Sequence, residues 1–418
     1  MKNKPTMRIF VVEPRNSGGM IHYAYQLCTA LAEEGAAVTL ITAMQDYEME
    51  SFPHNFDVAK ILNLWSRVDD RKNSPPKNKV DALQRKIFWT TRRAYRGLKL
   101  IFSWFTLIRY LLHEKPDIVQ FGSIDFPFEA IFLAYLKKRG LTLTQISHEF
   151  EERERDLGFL SRIHYDMKAK VFANFSALFF HAQNNLERFK SLYPKTTENT
   201  HIIPMGNEAL FPTPNDLEAE TQALRKRYTL SDDLHVVLFF GTLTPSKGLR
   251  DLLNAFALVY QTRQDVRLII AGMPGVHLQI EEYIKQANTL GIHDGVIFDS
   301  RYLPIKEIAP LMTLASVVVY PYLNSTQSAA LQTAYHFSRP VIATNVGGLP
   351  EAVEDGKSGF LVPPSDPNLL SHAILRFVEE PGLTQQMGAY AKELSETRFA
   401  WNPIARRILD VYQPLKKA

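Results

Sequence analysis

Residues 239–256 read FFGTLTPSKGLRDLLNAF. An apolar β-type run, Val236 to Phe240, stops at Gly241, and after a polar turn a helical pattern runs from Gly248 to Tyr260. Glycine lets the backbone come close to a ligand, the helix that follows offers N–H groups without internal acceptors, and Lys247 adds a positive charge beside them. A diphosphate suits such a turn, although a plain strand-to-helix connection with an exposed lysine would read the same way. The alternation continues outward, with strands expected at Arg267 to Ala271, Val296 to Phe298, Val317 to Tyr320 and Val341 to Thr344, and helices at His277 to Leu290 and Gln327 to Phe337. Toward the N-terminus, a strand at Met7 to Val12 leads through Ser17-Gly18-Gly19 into a helix with apolar Tyr23, Leu27, Ala30 and Leu31, then a strand at Ala37 to Thr42, which is a βαβ unit. Further strands are expected at Ile118 to Phe121, Leu143 to Ser147, Ala177 to His181 and Thr200 to Ile203.

Strands alternating with helices imply an α/β fold of two Rossmann-like domains with parallel sheets. The stretch PMGNEALFPTPN (204–215) has three prolines and starts no obvious helix, so it reads as the connection between them. The expected division is a first domain over 1–204, a linker over 205–215, a second domain over 216–398 and a terminal segment over 399–418. The length of 418 residues fits two domains, and the 45% apolar and 22% charged content is that of an ordinary globular chain. Lys and Arg exceed Asp and Glu by 48 to 44, too small a surplus to imply nucleic acid. One cysteine, Cys28, excludes an intrachain disulfide and any multi-cysteine metal site and fits a reducing compartment. The apolar run Ile9 to Val12 is too short for a signal peptide, and Leu100 to Ile108 is too short to span a bilayer, so a cytoplasmic protein is expected.

A second constellation is PYLNSTQSAALQTAYHFSRPVIATNVGGL (321–349). Ser325, Thr326 and Ser328 form a turn after a strand, a helix starts near Gln327, and the next strand ends in Asn345-Val346-Gly347-Gly348. Bland capping explains each loop alone, whereas loops at successive strand ends of one sheet point to a shared anion site. With the turn at 239–256 and the closing FAWNPIARRILDVY (399–412), these segments resemble the donor-binding half of glycosyltransferase family 4, retaining enzymes of the GT-B fold, in which two domains face each other across a cleft. In the first half the resemblance rests on Ser17-Gly18-Gly19 and His148.

The resemblance implies that a nucleotide-diphosphate sugar is the donor. It places Gly241, Thr242 and Lys247 at the diphosphate, the N–H groups of Gln327, Ser328 and Ala329 at the distal phosphate, and Arg301, Tyr302 and Leu303 around the nucleobase. Gly18 and Gly19 would face the diphosphate from the other domain, with Ser325, Thr326 and Thr333 completing the donor pocket. His148 and Lys247 would be the groups at the reaction centre, with His148 beside the transferred sugar. The terminal helix is expected to cross back to the first domain. No metal or other cofactor is expected, since lysine and helix N-termini can carry the leaving group's charge. The chain departs from the family pattern in three places: Thr242 stands where an arginine is common, and Ser325 and Thr333 stand where the family carries a pair of glutamates, so hydroxyls replace charges. The implied activity is transfer of a sugar to a hydroxyl of a glycan or lipid-linked acceptor in polysaccharide biosynthesis. The departures keep open a non-catalytic nucleotide- or glycan-binding subunit of an assembly complex; an epimerase or hydrolase is disfavoured by the TQS run.

The charge surplus is uneven. Gln84 to His113 holds seven basic residues, Arg85, Lys86, Arg92, Arg93, Arg96, Lys99 and Arg109, and no acidic ones. On a helix, Arg85, Arg92, Arg96 and Lys99 share one arc, Leu98, Ile101, Phe102, Phe105, Ile108 and Leu112 lie opposite, and Trp89 and Trp104 fall between. Either this helix buries its apolar arc on the sheet, or residues 85–112 contact an anionic membrane surface, making the protein peripheral on the inner face of the plasma membrane. The acidic and basic run Glu149 to Asp156 reads as a solvated loop or as a place for acceptor hydroxyls.

Overall fold

The structure is a computed structural model that describes residues 6–64, 79–151, 161–196, 198–275 and 278–416, with side chains from residue 88 in the first long helix and from residue 163 in the helix that starts at Ser161. The expectations for the side chains of Arg85 and Lys86 and for residues 152–156 therefore lie outside the described residues. Two sheets make up the molecule. The first contains β1 (Arg8–Val12), β2 (Ala37–Ala43), β3 (Asp57–Leu62), β4 (Ile118–Phe121), β5 (Leu143–Ile146), β6 (Ala177–Phe180) and β7 (Thr200–Ile202), in the order β3-β2-β1-β4-β5-β6-β7. The second contains β8 (His235–Phe240), β9 (Val266–Ala271), β10 (Val296–Asp299), β11 (Val317–Tyr320), β12 (Val341–Thr344) and β13 (Gly359–Val362), in the order β10-β9-β8-β11-β12-β13. Every described pairing is parallel. Parallel strands need crossovers, which cover both faces with helices, and this is why central strands such as IVQF and VVVY are buried along their whole length.

Alternate residues of one strand serve opposite faces. Ile9 and Val11 join a core cluster with helix Gly19–Glu33, whereas Phe10 and Val12 join a second cluster with Trp104, Leu107 and Leu111 of the long helix Lys79–Glu114. The last helix, Trp401–Tyr412, buries Trp401, Ile404, Ala405, Ile408 and Tyr412 at helical spacing in the first of these clusters. It thus completes the core of the N-terminal domain. Trp401 Nε1 donates to the Asn207 carbonyl at 2.8 Å, and the Tyr412 hydroxyl donates to Gln120. Gly206 lies against the Trp401 ring so closely that a Cβ there would stand 2.4 Å from it.

The long helix corrects one expectation. Of its apolar arc, Ile108 and Leu112 reach the core, but Leu98, Phe102 and Phe105 are 55%, 66% and 57% exposed. The helix rests on the sheet through a neighbouring row, Ser103, Trp104, Leu107 and Leu111. Trp104, expected between the two faces, is buried, with Nε1 donating to Glu129 at 2.9 Å. The apolar arc is wider than one packing face, so covering the sheet uses only part of it.

Candidate active site

The strand order reverses between β1 and β4 and again between β8 and β11, the positions at which open parallel sheets hold ligands beyond their strand ends. Residues of both domains line two cavities there. One, of about 640 Å³, has Gly19, Tyr23, Gln145 and His148 on the N-terminal side and Thr242, Lys247, Tyr322 and Thr326 to Ala330 on the other. The second, of about 420 Å³, lies between Gly18, His22 and Glu208 on one side and Gly241, Tyr302, Leu303 and Thr333 on the other.

Lys247 ends a single 3-10 turn, Pro245–Lys247, and its Nζ stands 3.5 Å from the centre of the Tyr322 ring, which fixes the ammonium at the cavity wall. Across from it, Ser328 caps helix Ala329–His336 by accepting from the Leu331 N–H, so the helix begins two residues later than the sequence suggests and its first residues, Ala329 and Ala330, line the cavity. A Cβ at Gly18 or Gly19 would meet nothing within 4 Å, so bare backbone is presented by Gly19 at the larger cavity and by both glycines at the smaller. Gly347 holds φ at +54°, and a Cβ there would lie 1.5 Å from the Ser325 carbonyl, so the two loops of the second constellation interlock only with glycine at this place.

Several expected donor residues have protein partners. Thr326 Oγ1 donates to the His148 carbonyl at 2.6 Å, and Gln327 Nε2 lies 3.4 Å from the carbonyls of His181 and Gly348. Ser325 Oγ donates to the Gln327 carbonyl at 2.9 Å, and Thr333 Oγ1 donates to Ala329 at 3.2 Å. Arg301 pairs with Asp299 and Glu307 and lies outside the walls of both cavities, leaving Tyr302 and Leu303 at the second cavity.

Other residues of the cleft are visible only in three dimensions. Glu48 accepts from the Gly18 N–H at 2.7 Å and lies 3.3 Å from His22 Nε2, while the Tyr302 hydroxyl reaches it from the opposite domain. Burial works against its charge, but these three donors outweigh burial and hold its carboxyl at about 2. Glu208 is the reverse case: burial raises its carboxyl to about 7, against the pull of His22 and Gln26. Glu351 accepts from the N–H groups of Gln183 and Asn184 at 2.9 and 3.0 Å, capping helix Gln183–Leu192 from the other domain. His181, one residue beyond β6, stands 3.0 Å from His148. Of these positions only His181 carried a signal in the sequence, a histidine directly after a strand, and that signal is too common to select it unaided.

Among known families, the model described as Glycosyltransferase Family 4 matches residues 17–207, and that described as Glycosyl transferases group 1 matches residues 234–380. A D-inositol 3-phosphate glycosyltransferase of Corynebacterium glutamicum is 26% identical over 95% of this chain and 92% of its own. Sucrose-phosphate synthase from Thermosynechococcus elongatus superposes with a TM-score of 0.72 at 19% identity, over 98% of this chain and 99% of that one. Anabaena Alr3699/HepE in complex with UDP and glucose gives 0.71 at 19% identity, over 98% and 100%. The two family matches fall one on each half, on sheets that the solved structures share in fold, and the chain therefore belongs to the family 4, group 1 glycosyltransferases with the GT-B fold.

Proposed function

We propose that this glycosyltransferase moves a sugar from a nucleotide-diphosphate sugar to a hydroxyl of a lipid-linked or polysaccharide acceptor, with retention of configuration. The observation that carries the reading is the larger cavity, where Lys247 and the start of helix Ala329–His336 face bare glycine backbone and His148. Cleaving a glycosyl diphosphate builds negative charge on the leaving group, and a fixed ammonium with oriented N–H groups stabilises it as it forms. That arrangement assigns the leaving-group charge to the chain's own residues and calls for no resident metal. A solved relative of the same fold is described with UDP and glucose, which supports a nucleotide-sugar as donor. Retention follows from the family resemblance: attack from the face of the departing diphosphate needs no protein nucleophile. The acceptor hydroxyl would enter from the N-terminal side, past Arg15, whose guanidinium pairs with Asp125 at 3.1 Å.

The lipid-linked acceptor draws support from the exposed arc of the long helix. Phe105 meets Phe132 at 5.9 Å, which joins that arc to exposed Phe128 and Ile131, and the described cations Arg92, Arg93, Arg96, Lys99 and Arg109 flank it. Aromatic and aliphatic side chains beside cations suit an anionic bilayer surface. No helix among the described residues is long and apolar enough to cross a membrane.

A non-catalytic donor-binding subunit is the second reading, favoured by Ser325 and Thr333, whose hydroxyls are engaged within their own loop and helix. Incubation with uridine, guanosine and adenosine diphosphate sugars and glycan or lipid-linked acceptors, following nucleotide release, separates the two. Lys247→Ala is expected to reduce release at least about 100-fold while the melting temperature stays near that of the parent. Donor binding without release from any acceptor supports the second reading, and undiminished release by the variant removes Lys247 from the phosphate site.

A further inference from the structure

His148 and His181 form a pair whose protons can be assigned from the fold. His181 Nδ1 is 3.3 Å from the Ile203 carbonyl, which can only accept, so Nδ1 carries the proton. Its other nitrogen, Nε2, is 3.0 Å from His148 Nδ1. Burial holds both rings neutral: His181 is lowered to about 4, and His148 is held well below the usual histidine range by burial and, after it, by His181 and Arg15. A neutral His181 with its proton on Nδ1 has a bare Nε2, which must accept from His148 Nδ1–H. His148 Nε2 is then a lone pair, and it is buried with no hydrogen-bond partner.

Two further polar atoms share that condition. The Tyr23 hydroxyl and Gln145 Oε1 are buried without partners, and both residues line the same cavity as His148. The Tyr23 ring meets the His148 ring edge-on at 4.6 Å. A buried polar atom without a partner costs free energy unless a ligand completes it. Three such atoms at one wall describe a subsite for a group rich in hydroxyls.

We infer that His181, anchored by the carbonyl of Ile203 where the chain leaves the first sheet for the second domain, is a positioning residue that sets the tautomer of His148, so that His148 Nε2 accepts a hydroxyl of the transferred sugar or acceptor and refuses phosphate oxygens. A bare imidazole nitrogen and a phosphate oxygen are both acceptors and repel each other; a hydroxyl supplies the missing proton. The inference rests on the transferase reading for the identity of the ligand, but the tautomer itself does not depend on it.

The test is long-range 1H–15N correlation on the full chain labelled with 15N-histidine, with the His148 signals assigned through His148→Gln. His148 is expected protonated at Nδ1 and bare at Nε2 at neutral pH; a proton on Nε2, or on both nitrogens, overturns the proposal. His181→Leu removes the acceptor, whereas His181→Gln restores one with its amide oxygen. The leucine variant is expected to lose the single tautomer and to lower kcat at least about tenfold, with the donor KM changed less than about threefold, and the glutamine variant to recover most of both. A leucine variant that keeps both tautomer and rate overturns the positioning role. Absence of turnover with every donor would count against the transferase reading and leave the tautomer result standing.

Discussion

Glu208 sits in the wall of the smaller cavity, 3% exposed, with Gln26 Nε2 at 3.3 Å. Its carboxyl is raised from 4.5 to about 7 by burial, so the native protein keeps the proton that an unfolded chain releases above 4.5. Where the unfolded state binds fewer protons, stability falls as pH rises. Glu208 therefore lowers stability between about pH 4.5 and 7, by roughly 3 kcal/mol in total on the shift itself. Denaturant titrations at pH 5 and pH 8 should show a smaller loss for Glu208→Gln than for the parent; an equal loss assigns the pH dependence to Glu13 and Glu129, raised to about 7 by the same burial. Gly347→Ala is expected to cost several kcal/mol, because a positive φ and a carbonyl at 1.5 Å leave no room for Cβ. Residues such as Lys247 and Ser328 can be read from sequence because each stands in a local motif of strand, turn and helix start. Glu48, His181 and Glu208 cannot, since each gains its role from a partner on another element.

For the long helix, periodicity shows that an apolar arc exists without showing which part of it meets the sheet. The row that packs, with Trp104, Leu107 and Leu111, lies beside the arc, and Trp104 is held there by a ring stacked 5.2 Å from Phe132 and an indole N–H bonded to Glu129. Trp104→Ala should cost about 3 to 5 kcal/mol, as loss of a large buried side chain does. Phe102→Ser and Phe105→Ser should leave stability within about 0.5 kcal/mol, because both rings are exposed. In flotation with phosphatidylserine vesicles the same two substitutions are expected to release the protein into the soluble fraction, with raised salt acting in the same direction. Unchanged flotation of the double variant would remove this arc as the membrane contact.

At the level of the whole molecule, two α/β halves are legible because the strand and helix pattern repeats along the chain. Their mutual arrangement is not, because the bonds that fix it join distant residues of ordinary type. Glu351 reaches Gln183 and Asn184, Asn185 Nδ2 donates to the Thr326 carbonyl at 2.7 Å, and Tyr302 reaches Glu48. These contacts tie the two domains to each other across the cleft. Glu351→Ala removes two charge-assisted bonds at partly exposed positions, about 1 to 2 kcal/mol, and is expected to enlarge the radius of gyration seen by X-ray scattering without lowering secondary structure. An unchanged radius would place the hold on closure at the remaining pairs. The helix Trp401–Tyr412 has a different consequence, one of timing. It supplies core to the domain translated first, so a ribosome must reach residue 412 before the earliest strands can finish packing, and a stop codon just ahead of Trp401 would injure the beginning of the protein more than its end.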